Sequence, residues 1–528
     1  MIGLRNRILC SLPVVVCSLQ PAAVAEAQFS QQTKLVGTGA LGPAVQGLSV
    51  SLSGDGNTAI VGGPQDNVQP NIGFGAGAAW VYTRSDGVWT QEAKLVGTGA
   101  RGPAQQGVSV SLSGDGNTAI VGGKQDNRSA GAAWVYTRSD GREWKQETKL
   151  VGTGARGPGS SQGDSVSLSG DGNTAIVGGS LDNPQPNGLG LGAAWVFTRS
   201  RRWWTQQTKW TQQTKLVGSR ALGAAAQGSS VSLSGDGNTA IVGGPLDNNL
   251  IGAAWVYTRS DGRRWTQQTK LVGTGALGPA AQGSSVSLSD DGNTAIVGGP
   301  LDNNLNFAGP AGAAWVFTRS DGVWTQQAKL VGTGARGPAG AGQGASVSLS
   351  GDGNTAIVGG PLDNVQPNST GLGAGAARVF TRSDGVWTQQ TKLVGTGARG
   401  PAGAGQGASV SLSGDGNTAI VGGPKDNDQP GAFPAGAAWV FGKPVFGGTP
   451  RKANCYGQSV SALAKHYDGL NNAAAALGFD SVGVLQDGCS GILRGVEDIL
   501  RGSPLHSGRD WAGYRAIGDD RSSSDGSR

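Results

Sequence analysis

The chain carries one thirteen-residue segment seven times, and this repetition constrains the fold more than any other feature. The segment reads SLSGDGNTAIVGG from Ser51, and one copy departs from it, since Asp290 stands where the others have glycine. Its central aspartates recur at intervals of 55–65 residues, at Asp55, Asp115, Asp171, Asp236, Asp291, Asp352 and Asp415. Repetition at such a period is typical of solenoids and propellers. The sequence therefore predicts seven copies of one structural unit.

Each repeat has the pattern of four short strands. Ser49–Ser53 alternates apolar residues with serine, as a half-buried strand does, and Thr58–Val61 follows after a Gly-Asp-Gly-Asn turn. Ala78–Arg84 and Trp89–Val96 are rich in residues that favour strands, and a Ser-Asp-Gly turn separates them. Four antiparallel strands per repeat are typical of a propeller blade. We therefore predict an all-β, seven-bladed β-propeller over residues 28–442.

The two ends of the repeat region indicate how the ring closes. The last third strand, Ala437–Phe441, runs into Gly442-Lys443-Pro444 and has no fourth strand after it. The missing copy stands at the other end, as Phe29–Val36. Pairing of these two strands would complete the seventh blade and cover a sheet edge that otherwise invites aggregation. The sequence predicts closure by the N-terminal strand.

The repeats resemble FG-GAP repeats, the blades of integrin-α-type propellers, over about 415 residues. In that pattern Phe-Gly opens the first strand and Gly-Ala-Pro follows the second. Here Gly62-Gly63-Pro64 takes the second place, and Lys124 and Ser180 replace the proline in the second and third blades. The first place is Gln-Gly throughout, at Gln46, Gln106, Gln162, Gln227, Gln282, Gln343 and Gln406. The resemblance implies a propeller of an exported bacterial type and names no ligand.

In that family the hairpin between the first two strands often binds Ca²⁺. The corresponding positions of the first blade are Ser51, Ser53, Asp55 and Ala59, so a single carboxylate remains. Because Ca²⁺ takes about six to eight oxygen ligands, such a hairpin would bind it weakly at best, and we expect no cofactor. A turn stabilised by Asp and Gly is the structural alternative. The hairpin with two adjacent acids, Asp290-Asp291, is the candidate metal site.

The propeller region holds no histidine, cysteine or methionine, since His466 and His506 both lie beyond it. This excludes Ser-His triads, cysteine nucleophiles and His/Cys metal sites from the ring. Paired carboxylates remain, as in glycosidases, but most acids recur at equivalent positions of the repeats. The acids outside the pattern form no evident pair, and we expect no enzymatic activity: they are Glu92, Glu143, Glu147, Asp164 and Asp428.

Strand direction places two sets of loops on opposite faces of the ring. The segments before the first strand and after the second share the loop face, and the two hairpins of each blade share the hairpin face. Loop-face segments vary in length, as in Pro64–Gly75 against Lys124–Ala130, and binding residues concentrate on such loops. Each carries Asp-Asn near its start, at Asp66-Asn67, Asp126-Asn127, Asp182-Asn183, Asp247-Asn248, Asp302-Asn303, Asp363-Asn364 and Asp426-Asn427.

These Asp-Asn pairs have two interpretations. One is a ring of carboxylates at the pore mouth that binds a cation or a basic ligand. The other is an Asx-turn repeated for structural reasons.

The tryptophans of the GAAW and WTQ segments also have two interpretations. Exposed rings would stack on sugars, whereas buried rings would pack between blades, and burial is favoured because blades need large apolar contacts. In the sixth blade Arg378 replaces the GAAW tryptophan, which indicates a position that is partly accessible.

The chain before the propeller reads as a signal peptide over residues 1–27. Arg5 and Arg7 precede a short apolar stretch, and Ala25-Glu26-Ala27 has the small residues of a cleavage site. The apolar stretch is shorter than the roughly 20 residues of a membrane span. We expect a protein that is secreted, periplasmic or on the cell surface.

The chain after the propeller changes in character. Residues 443–453 are expected to be a linker, and 454–489 resemble a short helical tail module of exported bacterial proteins. Residues 490–528 are expected to be a disordered tail, since they are rich in Gly, Ser and charged residues. Cys455 and Cys489 either form a disulfide or remain thiols.

The charge pattern indicates no nucleic-acid partner. The formal net charge is +6, but charged residues make up only 14% of the chain and form no basic stripe. The leading hypothesis is a monomeric binding or adhesion propeller without a membrane span that recognises a protein or a glycan through its loop face. A structural surface repeat without a specific ligand is the alternative, and a polysaccharide-acting propeller enzyme ranks third.

Overall fold

The structure is a computed structural model that describes residues 29–443, except 69–72, 140–142, 158, 202–207, 261–263, 304–309, 336–339, 364–372, 400–402 and 428–433. These residues belong to one compact unit, Gln28–Lys443. The predicted signal peptide, residues 444–453 of the linker, the helical module, the tail and the cysteines Cys455 and Cys489 lie outside the described residues.

Strands dominate the described chain. They are β1 (Ser30–Leu35), β2 (Ser49–Leu52), β3 (Thr58–Gly63), β4 (Ala78–Ser85), β5 (Val88–Leu95), β6 (Ser109–Leu112), β7 (Thr118–Gly123), β8 (Ala132–Thr137), β9 (Lys145–Leu150), β10 (Ser165–Leu168), β11 (Thr174–Gly179), β12 (Ala193–Arg201), β13 (Thr208–Leu216), β14 (Ser230–Leu233), β15 (Thr239–Gly244), β16 (Ala253–Ser260), β17 (Arg264–Leu271), β18 (Ser285–Leu288), β19 (Thr294–Gly299), β20 (Ala313–Ser320), β21 (Val323–Leu330), β22 (Ser346–Leu349), β23 (Thr355–Gly360), β24 (Ala376–Ser383), β25 (Val386–Leu393), β26 (Ser409–Leu412), β27 (Thr418–Gly423) and β28 (Ala437–Gly442).

Two four-residue segments are helical in hydrogen bonding, α1 (Asp126–Ser129) and α2 (Asp247–Leu250). Their inner residues have positive φ, for example 50° at Asn127 and 58° at Arg128. They are left-handed turns and not regular α-helices.

The strands form seven antiparallel sheets of four, each of which is one blade. Blades 1–6 begin with β2, β6, β10, β14, β18 and β22, and blade 7 has the order β26-β27-β28-β1. The first strands of neighbouring blades contact one another around the whole ring, so they surround the axis. The seven-bladed propeller and its all-β class are confirmed.

The apolar core lies between blades. One cluster, for example, joins Ile60 and Val81 of blade 1 to Val110 and Trp134 of blade 2. Each blade thus buries its face against its neighbour, as repeat architectures require.

The N-terminal strand closes the ring as predicted. β1 pairs with β28 in antiparallel register, with Gln31 opposite Phe441 and Leu35 opposite Ala438. Leu35 is only 4% exposed and joins the core between blades 7 and 1. Residues separated by about 400 positions therefore share one blade.

Close to the axis, at the hairpin face, backbone hydrogen bonds link successive blades from blade 1 to blade 7, and we call these backbone groups the inner backbone ring. Gly54 N–H donates to Gly114 O at 2.8 Å, and the same contact continues through Gly170, Gly235, Asp290, Gly351 and Gly414. A Cβ on Gly114 would lie 3.1 Å from Gly170 O, which explains why this position is glycine in six blades.

The Gln-Gly pairs have a structural function that the sequence did not indicate. Gln46 is 2% exposed, its Oε1 accepts from Gly37 N–H at 2.6 Å, and its Nε2 donates to Gly37 O at 3.0 Å. Equivalent pairs of bonds occur in all seven blades. This glutamine latch fixes the segment that enters each blade by satisfying two buried backbone groups.

The GAAW tryptophans are fully buried, in agreement with the interpretation that we favoured. The inference about Arg378 is wrong, because its side chain is also fully buried. Its guanidinium fills the tryptophan's place beside Gly332 and pairs with the carboxylate of Asp363 at 2.6 Å. A buried cation is tolerated there because a buried carboxylate lies within reach. The WTQ tryptophans are partly buried at most positions, as Trp89 and Trp324 are.

Candidate functional site

The seven aspartates of the Asp-Asn pairs are buried, each no more than 2% exposed. Asp66 shows the arrangement: Oδ1 accepts from Leu41 N–H at 2.7 Å, and Oδ2 pairs with Lys94 Nζ at 2.7 Å. Lys94 belongs to the outermost strand of the same blade and lies over the ring of Trp80. All seven aspartates pair with a lysine in this way, at 2.6–2.8 Å, the others being Asp126, Asp182, Asp247, Asp302, Asp363 and Asp426.

In blade 7 the lysine comes from the closing strand, since Lys34 of β1 pairs with Asp426 at 2.7 Å. Side-chain contacts as well as backbone pairing therefore join β1 to blade 7.

The asparagines of these pairs serve the backbone. Asn67 has φ of 56°, in the left-handed region that asparagine tolerates better than most residues, and its N–H donates to Leu41 O at 2.9 Å. Asn127, Asn183, Asn248, Asn303 and Asn427 also have positive φ, and Asn364 lies outside the described residues. The Asp-Asn pairs thus tie two loop-face segments together, which is a structural function, although by contacts other than an Asx-turn. Direct ligand contact by them stays a prediction.

The hairpin aspartates are saturated by their own turns. Asp55 Oδ1 accepts from Ser53 Oγ and Asn57 N–H, and Oδ2 accepts from Asn57 Nδ2. Burial alone would raise the pKa of Asp55, but these hydrogen bonds and the charge of Arg84 lower it below its ordinary value. The same bonds recur in the other six hairpins, so each carboxylate is committed to shaping a turn.

Asp290 differs because its side chain lies in the inner backbone ring, against Gly351. Burial raises its pKa, and so do the neighbouring charges of Asp291 and Asp352. Within the described part of the chain, no three His, Cys, Asp or Glu side chains are grouped as a metal site would require. Ion binding at Asp290-Asp291 stays a prediction.

A cavity of about 450 Å³ lies at the loop face, where the two inner strands of blades 6, 7, 1 and 2 end. We call it the axial cavity. Val45, Leu48, Val108 and four prolines give it an apolar lining, and Lys124 and Lys425 border it together with Gln65 and Gln105. None of the Asp-Asn aspartates lines it. Its volume falls within the range of about 300–1,000 Å³ that is usual for ligand pockets.

Beside this cavity three residues depart from the repeat and contact one another. Lys124 Nζ pairs with Asp164 Oδ1 at 3.0 Å, and Ser180 Oγ donates to Asp164 Oδ2 at 2.7 Å. Lys124 and Ser180 stand where the five other blades have proline. Asp164 stands where the six other blades have Leu, Val, Ser or Ala. We call these residues the Lys124 cluster.

The sequence pointed to each member of the Lys124 cluster separately and missed that they meet. Lys124 follows the second strand of blade 2, and Asp164 precedes the first strand of blade 3. These two places adjoin only across a blade boundary. Aligning the repeats and asking which departures fall on the loop face of adjacent blades would have found them.

The remaining acids outside the repeat pattern do not form a paired site. Glu92 forms an ion pair with Arg138, and Glu147 pairs with Arg199 at 3.1 Å, each across a blade boundary. Glu143 is exposed near a second groove of about 410 Å³ on the hairpin face. Asp428 lies outside the described residues.

The comparison with family models found one match. The FG-GAP repeat family model matches residues 89–136, which run from the fourth strand of blade 1 to the third strand of blade 2. The matched unit thus begins with a fourth strand, which is the strand that β1 provides in blade 7. No curated protein matches the chain. In the described part of the chain, no helix is long and apolar enough to cross a membrane.

Proposed function

The chain is an FG-GAP-repeat β-propeller, and we propose that it is a secreted or cell-surface binding module that recognises a macromolecular ligand at the loop face. The observation that carries the proposal is the Lys124 cluster. Seven nearly identical repeats depart from their pattern at three positions that meet beside the axial cavity. Binding residues concentrate on the loops that a rigid scaffold presents, and the Lys124 cluster lies on such loops.

Three further observations support a binding function without catalysis. The axial cavity is apolar with a few polar groups at its border, as ligand sites are. The propeller region contains no histidine or cysteine. Apart from Asp290, the described aspartates of the first hairpins and of the Asp-Asn pairs are engaged in turns or ion pairs, which leaves them poorly suited to acid–base chemistry. Export would follow from residues 1–27, which have the sequence pattern of a signal peptide.

The test is a binding screen with a matched variant. The purified chain is applied to a glycan array and used in protein pull-downs, with and without Ca²⁺. The triple variant Lys124→Pro/Asp164→Ser/Ser180→Pro restores residues that other blades carry, so it is expected to fold. Binding that the triple variant loses supports the proposal.

The second candidate function is a structural surface repeat, favoured by blades so similar that little divergence specific to a ligand is visible. It predicts ordered self-assembly and no ligand in the same screen. Turnover of a polysaccharide would overturn both functions.

A further inference from the structure

The loop face carries an excess of basic groups once its ion pairs are counted. The seven buried aspartates are matched by seven lysines. Beyond these pairs, the described loop-face segments hold one acid, Asp164, and seven bases: Arg101, Lys124, Arg128, Arg156, Arg220, Arg399 and Lys425. The five arginines are exposed, and none of them forms an ion pair with another described residue. Complementary charge of this kind steers partners and selects among them.

Two of these basic groups lie at an apolar cavity. Lys124 and Lys425 border the axial cavity, whose lining is made by Val45, Leu48, Val108 and prolines. Lys425 stands where four blades have leucine and two have glutamine, and Lys124 stands where five have proline. Both lysines are thus departures from the repeat at the same cavity, where Lys425 adds a positive charge and Lys124 is paired with Asp164.

We infer that the ligand is an acidic polypeptide segment with an apolar side chain beside its carboxylates. This inference rests on the binding function proposed above and specifies its partner. An apolar side chain would fill the valine- and proline-lined cavity, and neighbouring Asp or Glu side chains would meet the lysines at its border. The exposed arginines elsewhere on the loop face would attract such an acidic segment. Gln65 and Gln105 at the border supply side-chain amides that can form hydrogen bonds with the backbone of the bound peptide.

Two other polyanions fit less well. An acidic polysaccharide would bury hydroxyl groups against valine and proline, which costs free energy because they find no hydrogen-bond partner there. A single-stranded nucleic acid binds through stacking on aromatic rings, and none of the residues that line the cavity is aromatic.

The inference is tested by selecting peptides on the full chain. A display library of random twelve-residue peptides is enriched on the immobilised protein, and the affinities of selected peptides are measured by fluorescence anisotropy at 50 and 300 mM NaCl. We expect enrichment of Asp or Glu next to Leu, Ile or Val, and weaker binding at the higher salt concentration. Replacing Asp by Asn in a selected peptide, or Leu by Ala, should each weaken it.

A pair of matched protein variants locates the site. Lys425→Leu removes a positive charge that forms no ion pair with a described acid, and it restores the residue of four other blades. Arg264→Val removes such a charge on the hairpin face and restores the residue of three other blades. Because an exposed ion pair contributes roughly 0.2–1 kcal/mol, the first variant should weaken peptide binding about 1.5- to 5-fold, and the second should leave it unchanged.

Several outcomes overturn the inference. They are no enrichment, enrichment without acidic residues, equal weakening by both variants, and equal or tighter binding of oligogalacturonate or single-stranded DNA. The proposed function survives these outcomes if the earlier screen finds another ligand that the triple variant loses. It fails separately if that screen finds none.

Discussion

Closure of the ring by β1 makes a quantitative prediction about Leu35. This side chain is 4% exposed in the core between blades 7 and 1, as Leu216 is at the equivalent place of blade 3. Removing a buried leucine side chain costs about 2–4 kcal/mol through lost burial and the cavity that remains. If β1 is a full member of blade 7, Leu35→Ala should lower the free energy of unfolding by the same amount as Leu216→Ala.

The assay is urea unfolding followed by tryptophan fluorescence. Leu41→Ala serves as the control, because Leu41 follows β1 closely but is 61% exposed, and its replacement should change the free energy of unfolding by less than about 0.5 kcal/mol. The reasoning is refuted if Leu35→Ala behaves like Leu41→Ala while Leu216→Ala is destabilising.

The lysine on the same strand gives a second measure of closure. Lys34 Nζ contacts Asp426 Oδ2 and Gly397 O, both at 2.7 Å, and Asp426 is only 2% exposed. Lys34→Met leaves a buried carboxylate without its cation. Because Lys34 is itself partly exposed, we expect a loss of about 1–3 kcal/mol, less than for a fully buried pair. Deleting residues 29–36 removes both the buried Leu35 and the Lys34 ion pair, and it exposes the edge of β28, so aggregation should follow.

Three further predictions concern departures from the repeat and the glutamine latch. Arg378→Trp should raise the unfolding free energy by roughly 1–4 kcal/mol, because apolar packing replaces a buried ion pair while Asp363 keeps its ion pair with Lys392. A lower urea midpoint would contradict this. Asp290→Gly should stabilise more at pH 7 than at pH 3. The pKa of Asp290 is raised in the folded state, so the stability of the folded protein is highest below the unfolded pKa of this group and falls as pH rises through its folded pKa. If Asp290 is instead solvated, the difference in urea midpoint between variant and parent will not change with pH. Gln282→Leu should lower the unfolding free energy by about 1–3 kcal/mol for each of the two Gly273 backbone groups that it leaves unpaired. Gln390→Leu should have little effect, because Gln390 is exposed and donates to two threonine hydroxyls.

Much of the architecture followed from local sequence. The spacing of the GDG hairpins, the alternation in segments such as Ser49–Leu52, and the missing fourth strand predicted seven blades and their closure. The strands and turns of each blade depend on residues near one another in sequence, so turn chemistry and strand periodicity suffice to predict them. Closure joins distant residues, and its prediction came from counting strands at the two ends of the repeat region.

The site depended on contacts between blades, which local patterns do not encode. Lys124 and Asp164 are 40 residues apart and meet only because two strand ends adjoin across a blade boundary. The replacement of tryptophan by Arg378 indicated a partly accessible position, but Asp363 pairs with this arginine in the core. The glutamine latch was also missed, since its partner is a backbone group nine to eleven residues away and not another side chain.

The closing strand also has a consequence for the order in which the molecule folds. Ser30 and Gly442 share a blade although 412 residues separate them. Blades 1–6 each consist of consecutive strands and can form as soon as those strands exist, but blade 7 must wait until the last strand is available. Pairing of β1 with β28 closes the longest loop in the chain, so it has the largest entropic cost of loop closure and slows folding. Until that step occurs, β28 and the core face of blade 1 stay open, so the final step of folding is the one that protects the ring from association with other copies.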